Sequence, residues 1–247
     1  MRMREGLFSI LAWIGVILST LFWTFLIALV YAVHRLADPQ RKLAHRLASW
    51  WGRGMARMAP GARIDLLGWR QIPKDRPVIF MANHQSYVDV PALFFLPGHF
   101  KWIADEGLFN IPVFGWAMRM AGYVSVRRGD GREAIRTLQR AKRLLADGIS
   151  VFIFPEGTRS RTGILGQFQS GGFRLAVESG APIVPVVVTG TRQLLPRGTW
   201  MFRWGVRVRI EILPPVPSPT DKRQIRPLMA RVRSEIRRAY RRNLRSC

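Results

Sequence analysis

The sequence predicts an α/β fold with a mostly parallel sheet flanked by helices, preceded by an N-terminal membrane-seated two-helix unit. Three observations lead to this prediction. An uncharged apolar run fills residues 7–33, a basic amphipathic segment follows it, and short apolar strands alternate with helices from residue 62 onward. Strand–helix alternation is typical of parallel sheets with helical crossovers. We therefore expect two units, residues 1–60 for the membrane helices and residues 61–247 for the α/β domain.

The first helix is predicted from the run "LFSILAWIGVILSTLFWTFLIALVYAV", residues 7–33. As an α-helix it would be about 40 Å long, enough to cross a hydrocarbon core of about 30 Å. The basic residues that flank it are Arg2, Arg4, His34, Arg35, Arg41, Lys42 and Arg46. Most of them follow the run, which puts the body of the protein on the cytoplasmic side of the membrane. Because the N-terminal flank is also basic, insertion into one leaflet is the alternative to a full span.

The second helix is predicted to begin at Asp38-Pro39, since Asp is a good N-cap and Pro suits the first helical position. Its apolar stripe consists of Leu43, Leu47, Trp50, Trp51, Met55 and Met58. Basic residues lie off this stripe, as in helices that lie at a membrane interface. A helix that simply packs on the protein core is the alternative.

The α/β domain is predicted from the spacing of its apolar residues. Strands are expected over residues 62–67, 77–82, 100–104, 122–126, 149–154, 183–188 and 206–213. Helices are expected over residues 86–96, 112–120, 131–147, 171–179 and 222–244, the last of them basic and amphipathic. Pro182 and Pro185 interrupt one strand. Because proline cannot donate to a β-ladder, we expect that strand at a sheet edge or in the wall of a pocket.

The charge balance limits the classes of partner. The chain carries 39 Lys and Arg against 15 Asp and Glu, a formal net charge of +24. Such a surplus favours anionic partners: nucleic acid, an anionic membrane surface or an acidic carrier molecule. Nucleic acid is not expected, because no helix-turn-helix, zinc or RNP-type pattern is present. The single cysteine, Cys247, excludes an intrachain disulfide, a cysteine metal site and a plausible cysteine nucleophile.

The stretch "NHQSYVD", residues 83–89, places His84 and Asp89 between a strand and a helix. Open α/β sheets bind ligands where strands end in this way. A carboxylate in the first turn of the helix can reach the imidazole and fix its tautomer, which makes a general base. No protein nucleophile accompanies the pair, so direct deprotonation of a substrate hydroxyl is favoured. The alternative is structural: Ser86 and Asp89 would form a variant capping box, and His84 would have no task.

The stretch "FPEGTRS", residues 154–160, follows another apolar strand. Gly157 permits close approach of the backbone to a ligand, Thr158 offers a hydroxyl, and Arg159 offers a planar fork for phosphate. A third strand ends at Arg128. If the strands are parallel, His84, Arg128 and Arg159 meet at one sheet edge. A base and two guanidinium groups next to a membrane anchor indicate hydroxyl chemistry on an anionic lipid.

Four stretches together resemble the glycerophospholipid acyltransferase family, bacterial type. "NHQSYVD" resembles its Asn-His-x4-Asp motif and "FPEGTRS" its Glu-Gly-Thr-Arg-Ser motif. "GLFNIPVFGWAMRMAGYVSVRR" is similar to the second motif, with Arg128 on its basic position, and "APIVPVVV" to the fourth. The resemblance implies transfer of a fatty acyl group from acyl-CoA or acyl carrier protein to the free hydroxyl of lysophosphatidic acid, giving phosphatidic acid. It also implies the inner (cytoplasmic) membrane, with the catalytic domain on the cytoplasmic side.

The resemblance also implies the roles of individual residues. His84 would be the general base and Asp89 its orienting partner. The acceptor would be bound by Arg128, Glu156, Gly157, Thr158 and Arg159. The resemblance implies no metal, and no cofactor apart from the acyl donor.

One departure from the family pattern concerns charge. Family members often carry lysine just before the second motif, where this chain has Asp105-Glu106 and has its lysine, Lys101, four positions earlier. Arg127 could compensate; otherwise another lysophospholipid or a lyso-aminolipid would fit better as the acceptor.

Two rival functions differ in class from acyl transfer. A lipid hydrolase would need a Gly-x-Ser-x-Gly elbow, which the sequence lacks. A non-catalytic basic membrane protein that binds anionic lipid or nucleic acid would leave both motif loops without a purpose.

Overall fold

The computed structural model describes residues 2–58, 61–127 and 129–245. Its main helices are α1 (Arg2–His34), α2 (Lys42–Met58), α3 (Asp89–Leu93), α4 (Glu106–Phe109), α5 (Phe114–Met120), α6 (Gly131–Ala146), α7 (Gly171–Ser179), α8 (Thr191–Leu194) and α9 (Ile225–Arg245). The strands are β1 (Arg63–Leu67), β2 (Ile79–Ala82), β3 (Phe100–Asp105), β4 (Val124–Val126), β5 (Ser150–Ile153), β6 (Ile183–Thr189) and β7 (Arg207–Ile212). Two short 3₁₀ turns, Trp69–Gln71 and Lys222–Gln224, complete the list.

The seven strands form one sheet in the order β1-β7-β6-β2-β5-β3-β4. The five strands from β6 to β4 are mutually parallel, whereas β7 is antiparallel to β6 and parallel to β1. Helices cover both faces, because one buried apolar cluster joins the sheet to α2 and α3 and a second joins it to α7 and α9. The α/β prediction is confirmed. In such a sheet the carboxyl ends of β2 and β5, where both motif loops begin, are neighbours.

The helix α1 lies along the α/β body rather than projecting from it. Near its start, the Phe202 N–H donates to the Ser9 hydroxyl at 3.0 Å, and the Trp13 indole donates to the Trp200 carbonyl at 2.8 Å. Near its end, the Arg41 guanidinium lies over the Tyr31 ring at 5.3 Å. Its outer face exposes Leu7, Ile10, Leu11, Ile14, Ile17, Leu18, Leu21, Phe22, Phe25, Leu29 and Val33. Glu5–His34 is long and apolar enough to cross a membrane by length and composition.

Several predicted helix boundaries were wrong. The second helix begins at Lys42 and not at Asp38, because Arg41 takes a left-handed backbone (φ 54°) that interrupts it. The Asp38 carboxylate still accepts the Leu43 N–H at 2.9 Å. The helix expected over residues 86–96 is confined to α3, since the chain before Asp89 turns around its carboxylate.

The expectation that strand 183–188 lies at a sheet edge was also wrong, since β6 lies between β7 and β2. Pro185 is tolerated because the neighbouring chain departs from regular pairing beside it. Pairing with β7 begins at Val186, and the Pro185 carbonyl accepts the Leu213 N–H at 2.9 Å. The next contact on that side is the bridge from Ile183 to Val216, so a proline lies at an irregular place in the ladder.

Candidate active site

His84 and Asp89 form a hydrogen-bonded pair at the carboxyl end of β2. His84 Nδ1 and Asp89 Oδ2 are 2.7 Å apart, and the histidine side chain is 17% exposed whereas the aspartate is fully buried. A buried carboxylate at this distance accepts a hydrogen bond from Nδ1–H. The neutral imidazole therefore keeps its lone pair on Nε2, the nitrogen that a substrate can reach. The pair has the chemistry of an oriented general base.

The turn before α3 holds the Asp89 carboxylate. The same Oδ2 atom accepts the N–H of Gln85 at 2.6 Å and the N–H of Ser86 at 2.9 Å. The second of these bonds is the one that a capping box would make, so the structural alternative is correct in that detail. The Ser86 hydroxyl, however, donates to the Leu195 carbonyl at 3.1 Å, and the N-cap of α3 is Val88 with no side-chain cap. One carboxylate thus serves both the turn and His84.

The histidine ring is also fixed by packing. The rings of His84 and Phe154 are stacked, with centroids 4.0 Å apart and planes inclined by 15°. Phe154 is the first residue after β5 that leads into the second motif loop. Sequence reasoning missed this contact, because an aromatic residue beside a strand more often belongs to the apolar core. The stacking on Phe154 and the hydrogen bond to Asp89 together fix the orientation of the imidazole.

Glu156 connects the two motif loops through the backbone. Its Oε1 accepts the His84 N–H at 2.8 Å and its Oε2 accepts the Gly166 N–H at 2.7 Å. The Ser160 N–H also donates to the His84 carbonyl at 2.8 Å. Burial raises the pKa of the Glu156 carboxyl above its usual range, although the two N–H donors oppose the shift. Both carboxylate oxygens are therefore engaged within the protein, and the side chain positions His84.

Asn83, the residue before His84, anchors the loop to β6. Its side-chain amide donates to the Val188 carbonyl at 2.8 Å, and its carbonyl accepts the Val188 N–H at 2.8 Å. The side chain is fully buried. This two-bond pairing replaces a stretch of β-ladder at the point where β2 ends. The carboxyl ends of β2 and β6 are held at a fixed separation as a result.

Arg159 lies beside the histidine loop. Its guanidinium carbon is 3.4 Å from the centroid of the Tyr87 ring, an aromatic side chain that is 62% exposed. Gly157 has a φ of 69°, which favours glycine at this turn, and Thr158 is exposed. The Arg197 guanidinium donates to the Arg159 carbonyl at 2.9 Å. The loop therefore presents an oriented cation on an aromatic platform, with a second cation next to it.

The charged side chains near the second motif are engaged within the protein. Arg127 binds Glu106, one of the two acids, directly: its Nε is 2.5 Å and its Nη2 2.9 Å from the Glu106 carboxylate oxygens. Asp105 is the N-cap of α4 and accepts the Gly107 N–H at 3.0 Å. No helix was predicted over residues 106–109; the two acids lie at the start of α4, where negative charge suits the helix dipole. Arg128 lies outside the described residues.

Comparison with known proteins identifies the family. A family model described as acyltransferase matches residues 63–189, a range that contains both motif loops and the strands that carry them. The chain belongs to the acyltransferase family. The resemblance inferred from the four stretches is therefore confirmed.

The acyltransferase also resembles individual proteins. It is 37% identical over 220 residues to a chloroplastic 1-acyl-sn-glycerol-3-phosphate acyltransferase of Arabidopsis thaliana, covering 87% of this chain and 59% of that protein. It is 32% identical over 159 residues to the 1-acyl-sn-glycerol-3-phosphate acyltransferase of Pseudomonas aeruginosa, covering 63% of this chain and 58% of that protein. The chain thus spans somewhat more than half the length of these two curated relatives.

A solved structure shares the whole architecture. The crystal structure of the 1-acyl-sn-glycerophosphate (LPA) acyltransferase from Thermotoga maritima superposes with a TM-score of 0.81 at 27% identity. The match covers 98% of both chains. It therefore includes the long N-terminal helix as well as the sheet.

Proposed function

We propose that the acyltransferase moves a fatty acyl group from the thioester of acyl-CoA or acyl carrier protein to the free hydroxyl of lysophosphatidic acid, giving phosphatidic acid. The observation that carries the proposal is the His84–Asp89 pair, held at 2.7 Å next to the loop that presents Arg159. The names of the relatives support the same reaction. No metal or cofactor takes part in the proposed scheme.

The proposed reaction uses Nε2 of His84 as a proton carrier. The acceptor hydroxyl gives its proton to Nε2 while its oxygen attacks the thioester carbonyl carbon, forming a tetrahedral intermediate. Collapse of the intermediate breaks the carbon–sulfur bond, and the leaving thiolate takes the proton back from Nε2. Asp89 stabilises the positively charged imidazolium between these two transfers. The balance is one ester formed, one thioester broken and one thiol released.

The acceptor phosphate is proposed to bind Arg159. A guanidinium offers two parallel N–H bonds to a phosphate, and its contact with Tyr87 restricts its orientation before the ligand arrives. Thr158 and the Gly157 turn lie next to it and complete the proposed contact. The family resemblance adds Arg128 as a further proposed cation for the acceptor. Both Glu156 oxygens accept backbone N–H groups, which supports a role for Glu156 in positioning the loop rather than in direct contact with the acceptor.

We propose that the two N-terminal helices seat the domain in one leaflet of the inner membrane, from its cytoplasmic side. The hydrogen bonds that Ser9 and Trp13 make with the body, and the packing of α1 on α5, keep α1 against the body. A span perpendicular to the membrane would not permit this without burying the body as well. The exposed apolar face of α1 would then enter the hydrocarbon region, and basic residues around it would meet anionic headgroups.

The test is acyl transfer by the full chain, measured as free-thiol release from acyl-CoA with and without lysolipid. Lysophosphatidic acid is expected to be the best acceptor in a panel that includes lysophosphatidylcholine, lysophosphatidylethanolamine and a lyso-aminolipid. Acyl carrier protein thioesters are compared with acyl-CoA as donors. Faster thiol release with another lysolipid would show that this lysolipid, and not lysophosphatidic acid, is the preferred acceptor. The absence of thiol release with every acceptor would refute the proposed acyl transfer and favour a non-catalytic lipid-binding protein.

A further inference from the structure

A groove of about 880 Å³ runs along the open edge of the sheet, beside β4. It is bounded by the turn between α1 and α2, by α4 and α5, and by the second half of α6. His84 and Arg159 are not among the residues that line it, so it is separate from the candidate active site. Its volume is in the range of pockets that bind small molecules.

Positive charge dominates the groove. Four arginines from three separate parts of the chain line it: Arg41, Arg119, Arg140 and Arg143. Two carboxylates also line it, but Glu106 is bound by Arg127. In the described part of the chain, Arg140 and Arg143 are exposed and make no ion pair. The second carboxylate, Asp147, leaves the arginines in excess, and such an excess of cations is a feature of anion sites.

A buried lysine also lines the groove. Lys101 is 2% exposed, and its ammonium donates to the carbonyls of Ala121 at 2.7 Å and Arg41 at 3.3 Å. Burial, with a smaller contribution from the positive charge of Arg41, lowers its pKa to about 7. A negative ligand in the groove would favour the charged form of this lysine, so binding and protonation would support each other.

The groove adjoins the apolar surface of α1. Arg41, on its rim, lies over Tyr31 of α1, and Arg119 follows one helical turn after the exposed Trp116 on α5. Leu36, in the turn between α1 and α2, is 88% exposed. The same groove is lined by Phe109, Leu144 and Ile149. A ligand that carries a phosphate on an apolar tail matches this combination, whereas a free anion would use only the arginines.

We propose that this groove binds the phosphate headgroup of an anionic membrane phospholipid, at a second lipid site distinct from the acceptor site. The proposal rests on the membrane seating inferred above but not on the acyl-transfer reaction. The arginines hold the phosphate, Lys101 forms the floor, and the acyl chains follow the apolar surface of α1 and α5. Basic pockets beside membrane helices recognise headgroups in this way. The enzyme would therefore distinguish anionic from zwitterionic membranes at this site.

The test uses the full-length protein in detergent and measures binding of dihexanoyl phosphatidylglycerol. The variant Arg140→Gln/Arg143→Gln removes two groove cations, and both side chains are exposed, so folding should survive. The matched control is Arg238→Gln/Arg241→Gln, which removes two exposed arginines at the same spacing from α9, outside the groove. We expect roughly tenfold weaker binding in the groove variant and less than a twofold change in the control.

Competition identifies the ligand class. Inorganic phosphate, coenzyme A and dihexanoyl phosphatidylcholine are added separately, and thermal unfolding confirms that each variant is folded. Weak competition by phosphate, coenzyme A and phosphatidylcholine supports a lipid-headgroup site. Equal losses in the two variants would overturn the proposal in favour of diffuse surface charge, and phosphate or coenzyme A competing as well as phosphatidylglycerol would overturn the lipid assignment. Headgroup binding without acyl transfer would refute only the proposed reaction.

Discussion

The substitution Asp89→Asn tests the proposed mechanism most directly, because it changes a charge with little change in shape. Asp89 Oδ2 accepts three hydrogen bonds, from His84, Gln85 and Ser86, while Oδ1 is buried without a hydrogen-bond partner among the described residues. An asparagine oxygen can occupy the Oδ2 position and keep all three bonds. Its NH₂ group then takes the Oδ1 position. The geometry and the tautomer of His84 survive, and the negative charge is lost.

The expected loss of rate follows from that charge. Two unit charges about 4 Å apart interact by about 4 kcal/mol at an effective dielectric constant of about 20. The neutral amide retains a hydrogen bond worth about 1 kcal/mol. The imidazolium formed in the reaction is therefore less stable by about 3 kcal/mol, which is a fall in kcat of about 10²-fold. The Michaelis constants for donor and acceptor should change little, because Asp89 is fully buried behind His84.

The assay is thiol release from acyl-CoA with lysophosphatidic acid at saturation, in wild type, Asp89→Asn, His84→Ala and the double variant. His84→Ala should cost about 10²- to 10⁴-fold. Because Asp89 acts through His84, adding Asp89→Asn to His84→Ala should cost almost nothing further. The exposed carboxylate variant Asp75→Asn is the matched charge control. A folded Asp89→Asn enzyme with near-normal kcat, or losses that multiply in the double variant, would refute the reasoning.

Three further predictions follow from single contacts. In Glu156→Gln the new NH₂ group faces one of the two backbone N–H donors, and no hydrogen bond can form between them. Steady-state kinetics should therefore show kcat at least tenfold lower, with the acceptor Michaelis constant nearly unchanged. Tyr87→Ala should raise the acceptor Michaelis constant several-fold and leave the donor value unchanged, whereas Tyr87→Phe keeps the aromatic face for Arg159 and should resemble wild type. Lys101 has a folded-state pKa of about 7, below the unfolded value of 10.5. The unfolded state therefore binds more protons between these pH values, and stability rises with pH by up to about 1.4 kcal/mol per unit. Thermal unfolding at pH 7 and at pH 9.5 should show the unfolding temperature of wild type rising with pH relative to that of Lys101→Met.

Each of these predictions has a contrary result. A raised acceptor Michaelis constant with unchanged kcat in Glu156→Gln would return that residue to the acceptor site. Equal effects of Tyr87→Ala and Tyr87→Phe would show that the hydroxyl, not the stacking on Arg159, matters. A constant difference in unfolding temperature between wild type and Lys101→Met across the pH range would mean that Lys101 does not titrate there.

The sequence by itself determined the fold class and both motif loops, because these depend on contiguous residues. The spacing of apolar residues predicts the strands and helices, and the turn residues around His84 and Gly157 predict where the strands end. The pairing of His84 with Asp89 was also predictable, since only five positions separate them.

Only the tertiary structure decided the contacts between distant parts of the chain. Pro185 lies in a central strand, where it is tolerated because the neighbouring chain departs from regular pairing beside it. Glu156 binds the N–H of His84, which lies 72 positions away, and Arg127 is captured by Glu106 at a distance of 21 positions. Strand order brings such pairs together, and the apolar periodicity that predicts each strand carries no information about its neighbours. The physical reason is that a parallel sheet is paired through its backbone, which is common to every residue, so side-chain partners across it are known only once the strands are in place.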